Sequence, residues 1–149
     1  MKNFNYYRLI WLLVFGWIAV IFSYSLKNAQ ISDEQSFFFV YIVDDILRFF
    51  NWHVDLEFLN FIIRKTAHFS EYALLGALVT LGSQLAPFHP KRYIHLLFAL
   101  VPFMDETLQT FVPGRSGQLS DCLLDLSGML AGCLLILALL QLSQRKNRD

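Results

Sequence analysis

The residues of this chain best suited to chemistry lie in one polar stretch between two strongly apolar runs. Residues 105–121 read DETLQTFVPGRSGQLSD and include two adjacent acids, a glutamine, an arginine and a further acid. Charged side chains flanked by apolar segments are costly to bury in a membrane and usually mark a functional site. The sequence therefore predicts a polar functional site around residues 105–121.

A second polar set opens the preceding apolar run, with Arg64, Lys65, His68, Glu71 and Tyr72. Lys65, His68 and Tyr72 follow an i, i+3, i+7 spacing, which puts them on one face of a helix. Glu71 lies nearly on that face. This pattern predicts that one helix presents His68, Glu71 and Lys65 to the same neighbouring helix.

The helical rise places acids from three predicted helices at similar depth. At 1.5 Å per residue from the outer interface, Glu71, Asp105 and Asp125 lie about 9–10 Å deep, and His68 about 4–5 Å deep. Above them we predict a basic rim of Arg64, Lys65 and Arg115. Acids at one depth beneath basic residues indicate a shared site.

These residue types allow several kinds of chemistry. His68 could act as a general acid or base that Glu71 or Asp105 orients, with Glu106 as a further catalytic candidate. No cofactor motif is present, but acids could hold Mg²⁺, which prefers oxygen ligands. The candidate magnesium ligands are Asp105, Glu106, Asp121 and Asp125. The candidate ligand-binding residues are Arg64, Lys65, Tyr72, Gln109, Arg115, Asp121 and Asp125.

The alternative interpretation is a buried polar network that only holds helices together. Intramembrane polar contacts contribute under about 1 kcal/mol each on average, which is little compared with the cost of burying so many charges. No sequence signature of an established nucleophile or two-metal site accompanies the acids. The sequence therefore leaves open whether the protein is an enzyme.

Composition favours a membrane protein. The 149 residues are 56% hydrophobic and only 16% charged, whereas soluble domains carry about 25% charged residues. The formal net charge is zero, so no nucleic-acid partner is expected. Cys122 and Cys133 lie on one predicted helix and cannot bridge each other.

Four apolar segments, 8–26, 66–86, 93–112 and 119–140, have the length of membrane spans. About 20 residues of helix cross the ~30 Å hydrocarbon core. We therefore predict an all-α integral membrane four-helix bundle forming a single domain over residues 1–149. No small-x-small cleavage site follows the first segment, so it is predicted to be retained.

The distribution of Lys and Arg predicts the orientation. The cytoplasmic set comprises Lys2, Arg8, Lys91, Arg92, Arg145, Lys146 and Arg148, and the opposite set comprises Lys27, Arg48, Arg64, Lys65 and Arg115. This predicts a multi-pass protein of the plasma membrane with both termini in the cytoplasm.

An aromatic segment, residues 37–52, lies between spans one and two. Asp44 and Asp45 interrupt it after too few apolar residues to cross a membrane. One interpretation is an interfacial helix on the outer leaflet with both Asp toward water. The other is a helix that caps the bundle.

Proline and glycine are expected to shape the last two spans. Pro102 predicts a kink next to Asp105, and the turn that includes Pro113 makes spans three and four an antiparallel hairpin. Gly128 and Gly132 form a GxxxG pattern, which allows helix backbones to approach closely. We interpret Pro113 and both glycines as structural.

In order and spacing, these residues resemble the VanZ-like family of small membrane proteins. The pattern reads Lys65-x-x-His68-x-x-Glu71-Tyr72, Asp105-Glu106-x-x-Gln109, Pro113-x-Arg115, Asp121, Gly128 and Gly132. It covers residues 62–133, and Asp125 departs from it because asparagine is expected there. The resemblance implies a polytopic membrane protein of a family named for a glycopeptide (teicoplanin) resistance component.

The expected function is binding or modification of an anionic lipid or lipid-linked cell-wall precursor in envelope physiology, with a link to antibiotic resistance. One alternative is an intramembrane enzyme for metal-assisted phosphoryl or acyl transfer. A second is a small proton-coupled transporter, which with four spans would require a homo-oligomer.

Overall fold

The computed structural model describes residues 3–86 and 91–146, and within them the chain forms helices and no strand. The helices are α1 (Asn3–Ser25), α2 (Ala29–Phe49), α3 (Leu56–Leu85), α4 (Lys91–Phe98), α5 (Val101–Gln109) and α6 (Leu119–Lys146). The predicted all-α class is confirmed. Two residues of the predicted cytoplasmic charge set, Lys2 and Arg148, lie outside the described residues.

Helices α3 and α6 pack with their backbones in contact. A methyl group added at Gly132 would lie 1.8 Å from the carbonyl oxygen of Ala73, and one at Gly128 would lie 2.3 Å from that of Phe69. Gly76 of α3 is just as close to the α6 backbone, at 2.0 Å. Only glycine leaves room for this approach.

Helix α1 lies against α3 and completes an apolar core. Val14 and Ile21 of α1 are buried together with Leu75 and Val79 of α3. The indole Nε1 of Trp17 donates a 2.9 Å hydrogen bond to a backbone carbonyl oxygen of α3. This packing holds the end of α1 beside the polar residues of α3.

The predicted third span, residues 93–112, is not one continuous helix, and its interruption lies where a kink was predicted from Pro102. The chain forms α4 and α5 instead, with a turn at residues 99–100. Pro102 is fully buried at the start of α5. Because proline has no backbone N–H for the carbonyl of Phe98, the helix breaks there.

Helix α3 begins earlier than the predicted span 66–86. The side chain of Asp55 caps it by accepting a 2.9 Å hydrogen bond from the backbone N–H of Phe58, and such caps stabilise a helix start. Arg64 and Lys65 therefore lie within a continuous helix. Helix α6 likewise continues beyond residue 140, to Lys146.

Helix α2 begins before the aromatic segment 37–52 and packs against α3. Its side chains Phe38 and Phe49 stay exposed. The expectation that both Asp44 and Asp45 face water is wrong, because Asp44 is buried. Its carboxylate accepts a 2.8 Å hydrogen bond from Arg48, one helical turn later, and this partner compensates the buried charge.

Among the described residues, two helical segments are long and apolar enough to cross a membrane by length and composition. They are residues 6–25 and α6. Helix α3 is longer, at 30 residues, but carries Arg64, Lys65 and Glu71, which lower its mean hydropathy.

Replacing Gly132 by alanine should destabilise the protein by about 2 kcal/mol, because the new methyl group forces α3 and α6 apart. The matched control is Gly16→Ala, since nothing lies within 4 Å of a methyl group at that position. Thermal unfolding in detergent should show a lower Tm for Gly132→Ala only. Equal melting temperatures for the two variants would contradict the described helix contact.

Candidate functional site

The polar residues gather at one end of the bundle, around two neighbouring cavities. One has a volume of about 390 Å³ and the other about 260 Å³. Arg64, His68 and Arg115 line both. These three side chains therefore form the wall between the cavities.

Within this wall, His68 lies close to two acids that come from two other helices. His68, Asp105 and Asp125 each offer one ligand atom within 4.8 Å of the others. Nδ1 of His68 lies 3.5 Å from Oδ1 of Asp125. Asp105 and Asp125 are fully buried, and the side chains of Ser25 and Tyr72 lie beside Asp105.

Several polar atoms of this triad have no hydrogen-bond partner among the described residues. They are Nδ1 of His68, Oδ1 of Asp105, both carboxylate oxygens of Asp125 and, next to the triad, the hydroxyl of Tyr72. Buried polar groups normally have partners, so such a group of atoms without partners calls for an explanation. The arrangement leaves these atoms available to a ligand.

Local backbone features explain why the triad forms. Gly128, whose backbone contacts Phe69, lies one turn after Asp125, and Phe69 adjoins His68. The close packing of α3 and α6 therefore brings Asp125 to His68. The helix break before Pro102 starts α5 in a new direction, with Asp105 in its second turn.

Glu106 has a different role from its neighbour Asp105. Its carboxylate accepts a 2.7 Å hydrogen bond from the backbone N–H of Gln118, at the start of α6. Gln109 donates to both Glu106 and Asp105, at 3.3 Å each. Gly117 also packs closely, since a methyl group there would lie 2.5 Å from the Glu106 carbonyl oxygen. Glu106 thus fixes the loop that leads into α6.

Two of the basic residues at the rim have acidic partners. Lys65 forms an ion pair with Asp121, and Arg64 pairs with Asp33 of α2 at 2.7 Å. Both pairs are partly exposed, so each contributes little to stability. Their effect is to hold the two cations at the cavity walls.

Arg115 differs from the other rim cations. It donates a 2.6 Å hydrogen bond to the hydroxyl of Ser32, and no described carboxylate lies within 4.0 Å of its guanidinium. Its Nε is buried without a hydrogen-bond partner. Burial lowers the pKa of Arg115 and the nearby positive charge of Arg64 lowers it further, whereas the charges of Asp105, Asp33 and Glu106 act in the opposite direction. Arg115 is therefore a half-buried cation that nearby acids influence but that none of the described carboxylates contacts.

The loop before α6 fits against α2 and so positions Arg115. Gly114 adopts a left-handed conformation with a φ of 77°, which glycine tolerates without strain. The carbonyl oxygen of Pro113 accepts a 3.4 Å hydrogen bond from the backbone N–H of Ala29. These contacts place the Arg115 side chain between α2 and α3.

The structure rearranges the predicted magnesium ligands. Asp105 and Asp125 converge with His68, whereas Glu106 bonds the α6 loop and Asp121 pairs with a lysine. The four acids therefore do not form one ligand set. Glu71 lines the smaller cavity, and the buried Tyr72 lies next to the triad.

Three site residues, Ser25, Ser32 and Asp33, were not identified from the sequence. Ser25 is buried beside Asp105, and the other two contact the rim arginines. For Ser32 and Asp33 the signal was the polar run at residues 27–36, KNAQISDEQS, between two apolar segments, whereas Ser25 precedes this run. A run of that kind predicts polar contacts but does not identify the partners.

Replacing Glu106 by alanine should release the loop at residues 110–118, because it removes the acceptor for the Gln118 N–H. The loss of a buried hydrogen bond to a charged group costs about 1–3 kcal/mol. Hydrogen exchange followed by mass spectrometry should show faster exchange in this loop. The control is Thr107→Ala, whose hydroxyl bonds only the carbonyl of Phe103, and equal exchange in both variants would contradict this role.

Comparison with known proteins assigns the family. The family model described as VanZ/LLP1 matches residues 10–141, which include every candidate site residue named above. No curated protein and no solved structure matches the chain significantly. The family match confirms the resemblance carried by the motif residues. The chain therefore belongs to the VanZ/LLP1 family and is a VanZ-like membrane protein.

Proposed function

We propose that this protein binds the anionic headgroup of a membrane lipid or lipid-linked cell-wall precursor in the cavities beside Arg115. The observation that carries this proposal is the charge of Arg115, which is half-buried and has no carboxylate within 4.0 Å among residues 3–86 and 91–146. A buried charge without a counter-charge is strongly unfavourable. A bound anion would supply the missing counter-charge.

The other charges at the cavities favour the same class of ligand. Lys27 and Arg64 line the smaller cavity with Arg115, and Lys65 lines the larger one. The planar guanidinium can contact phosphate or carboxylate oxygens in pairs, and lysine adds a point charge. Glu71 and Asp121 are positioned to orient hydroxyl or amine groups of the same headgroup.

The apolar rim of the smaller cavity favours a lipid over a free anion. Tyr24, Phe39 and Ile63 line this cavity together with its cations. An amphiphile could place its charged group at Arg115 and run its chain along these apolar side chains. This combination supports a lipid anchored in the surrounding membrane.

We place the site at the outer membrane surface. In this arrangement α1, α3, the α4–α5 pair and α6 cross the plasma membrane, and both termini are cytoplasmic. Lys27, Arg64, Lys65 and Arg115, all from the predicted outer set, lie around the two adjoining cavities. Exposed aromatic residues such as Phe38 would let α2 lie in the outer membrane–water interface. In this position α2 would also cover the site.

An envelope role follows from this placement. A protein that binds lipid-linked precursors on the outer surface would act where glycopeptide antibiotics such as teicoplanin meet their target. The proposed link to resistance is therefore altered access to that precursor. It rests on the resemblance and on the chemistry of the cavities.

Enzymatic modification of the bound lipid is a second candidate, favoured by the position of His68. This residue lines both cavities and lies 3.5 Å from Asp125. A histidine oriented by a carboxylate is suited to general acid–base catalysis. Phosphoryl or acyl transfer on the headgroup would use His68 at the cavity floor, and turnover of the bound lipid would distinguish this candidate from binding alone.

Replacing Arg115 by glutamine should weaken binding of an anionic lipid at least about tenfold, because a charge-assisted bond contributes about 1.5–3 kcal/mol. Native mass spectrometry of the detergent-purified protein, titrated with phosphatidic acid, a polyprenyl phosphate or phosphatidylcholine, measures this directly. The wild type should bind the first two and not the zwitterionic lipid.

The matched control is Arg145→Gln, which removes the same charge from an exposed position in the last turn of α6. It should bind phosphatidic acid as the wild type does. Equal loss in both variants would indicate a non-specific effect of charge, and wild-type binding by Arg115→Gln would contradict the proposal.

A further inference from the structure

We infer that His68, Asp105 and Asp125 form a binding site for a divalent transition-metal ion of the zinc class. This inference goes beyond headgroup binding and does not depend on it. The three residues come from α3, α5 and α6, and their ligand atoms lie within 4.8 Å of one another. A bound ion would tie these three helices together inside the bundle.

The first argument is the number of buried atoms without partners. Both oxygens of the fully buried Asp125 and Oδ1 of Asp105 accept no hydrogen bond within the described chain, and the 3.5 Å approach of His68 Nδ1 to Asp125 is a contact too long for one. Burying an ionised carboxylate costs several kcal/mol unless it is paired. A metal ion would satisfy all of these atoms at once.

The second argument is charge balance. No described lysine or arginine lies within 4.0 Å of Asp105 or Asp125, and a protonated His68 would balance only one of these two carboxylates. Two carboxylates and one divalent ion, with a neutral imidazole, form a unit of zero net charge. Such a unit can be buried at far lower cost than two separate anions. This balance needs both acids, and Asp125 is where this chain departs from the asparagine of the VanZ-like pattern.

The third argument is geometry. Zinc binds histidine nitrogen and carboxylate oxygen at about 2.0–2.2 Å in a tetrahedral arrangement, so its ligand atoms lie roughly 3.4 Å apart. The distance from His68 Nδ1 to Asp125 Oδ1 is 3.5 Å. The ligand atom of Asp105 lies within 4.8 Å of the other two, so its carboxylate would move closer to them when an ion binds.

The mixed ligand set selects the class of ion. Imidazole suits zinc and other first-row transition metals, whereas Mg²⁺ favours oxygen ligands and retains several waters. Three protein ligands leave a position for water or substrate, as in catalytic zinc sites. When bound, such an ion supplies Lewis-acid chemistry to an adjoining ligand. His68 lines both cavities, so the headgroup site adjoins this position.

The test is Zn²⁺ binding by the full-length protein in detergent, after treatment with a chelator. Isothermal titration should show saturable uptake of about one Zn²⁺ per chain, with little competition from Mg²⁺. His68→Gln and Asp125→Asn should each weaken Zn²⁺ binding at least about tenfold. Asp45→Asn is the control, because Asp45 is exposed on α2 away from the triad, and it should bind Zn²⁺ as the wild type does.

Thermal unfolding with and without Zn²⁺ provides a second measurement in case a variant folds poorly. Zn²⁺ should raise the Tm of the chelated wild type, as any ligand specific for the folded state does. It should leave the Tm of Asp125→Asn unchanged. No saturable Zn²⁺ uptake by the wild type, or equal loss of uptake in Asp45→Asn, would overturn the inference.

The lipid and metal proposals can fail separately. Arg115→Gln should lose phosphatidic acid binding and still bind Zn²⁺, since Arg115 is not a ligand of the triad. A wild type that binds phosphatidic acid but no Zn²⁺ would remove the metal site and leave the headgroup site in place.

Discussion

The backbone contact between α3 and α6 is the constraint on which the rest of the structure depends. Gly76, Gly128 and Gly132 remove the side chains that would separate the two helices. The resulting approach is close enough to bury Asp125 fully beside His68, whose side chain stays partly exposed at the two cavities. A wider spacing would leave these groups hydrated and separate, so the same residues would have no special chemistry.

A second constraint is the helix break at Pro102. In a continuous third helix, Asp105 would continue along the direction of α4. The turn at residues 99–100 separates α4 from α5 and changes that direction. The break instead lets α5 present Asp105 to α3 and α6, while Glu106 holds the following loop. That loop carries Arg115 to α2, so the acidic triad and this half-buried cation belong to one structural unit.

Much of this could be predicted from the sequence, since periodicity and spacing are local properties. The i, i+3, i+7 pattern put His68 on the polar face of its helix, and the glycine spacing indicated a close helix contact. A kink at Pro102 was predicted, but the full separation of α4 from α5 was not, because hydropathy shows apolar residues on both sides of Pro102 and does not reveal a turn. The burial of Asp44 was also missed, because its compensation depends on Arg48 one turn away.

The division of the acids into separate roles could not be predicted either. Asp105 and Glu106 are neighbours in sequence, but successive helical residues point about 100° apart. Which of the two reaches His68 depends on the rotation of α5, and the tertiary packing sets that rotation. Contacts from Ser32 and Asp33 likewise depend on where α2 docks, since a polar run alone does not specify its partners.

We propose that the polar site opens to the outer side of the membrane. Cysteine labelling in intact cells tests this orientation most directly. Ser116, beside Arg115, and Ser143, near the end of α6, are both exposed, and the native Cys122 is buried. A membrane-impermeant maleimide should label Ser116→Cys on intact cells and Ser143→Cys only after permeabilisation, relative to the parent chain. Labelling of Ser143→Cys but not Ser116→Cys on intact cells would contradict the account.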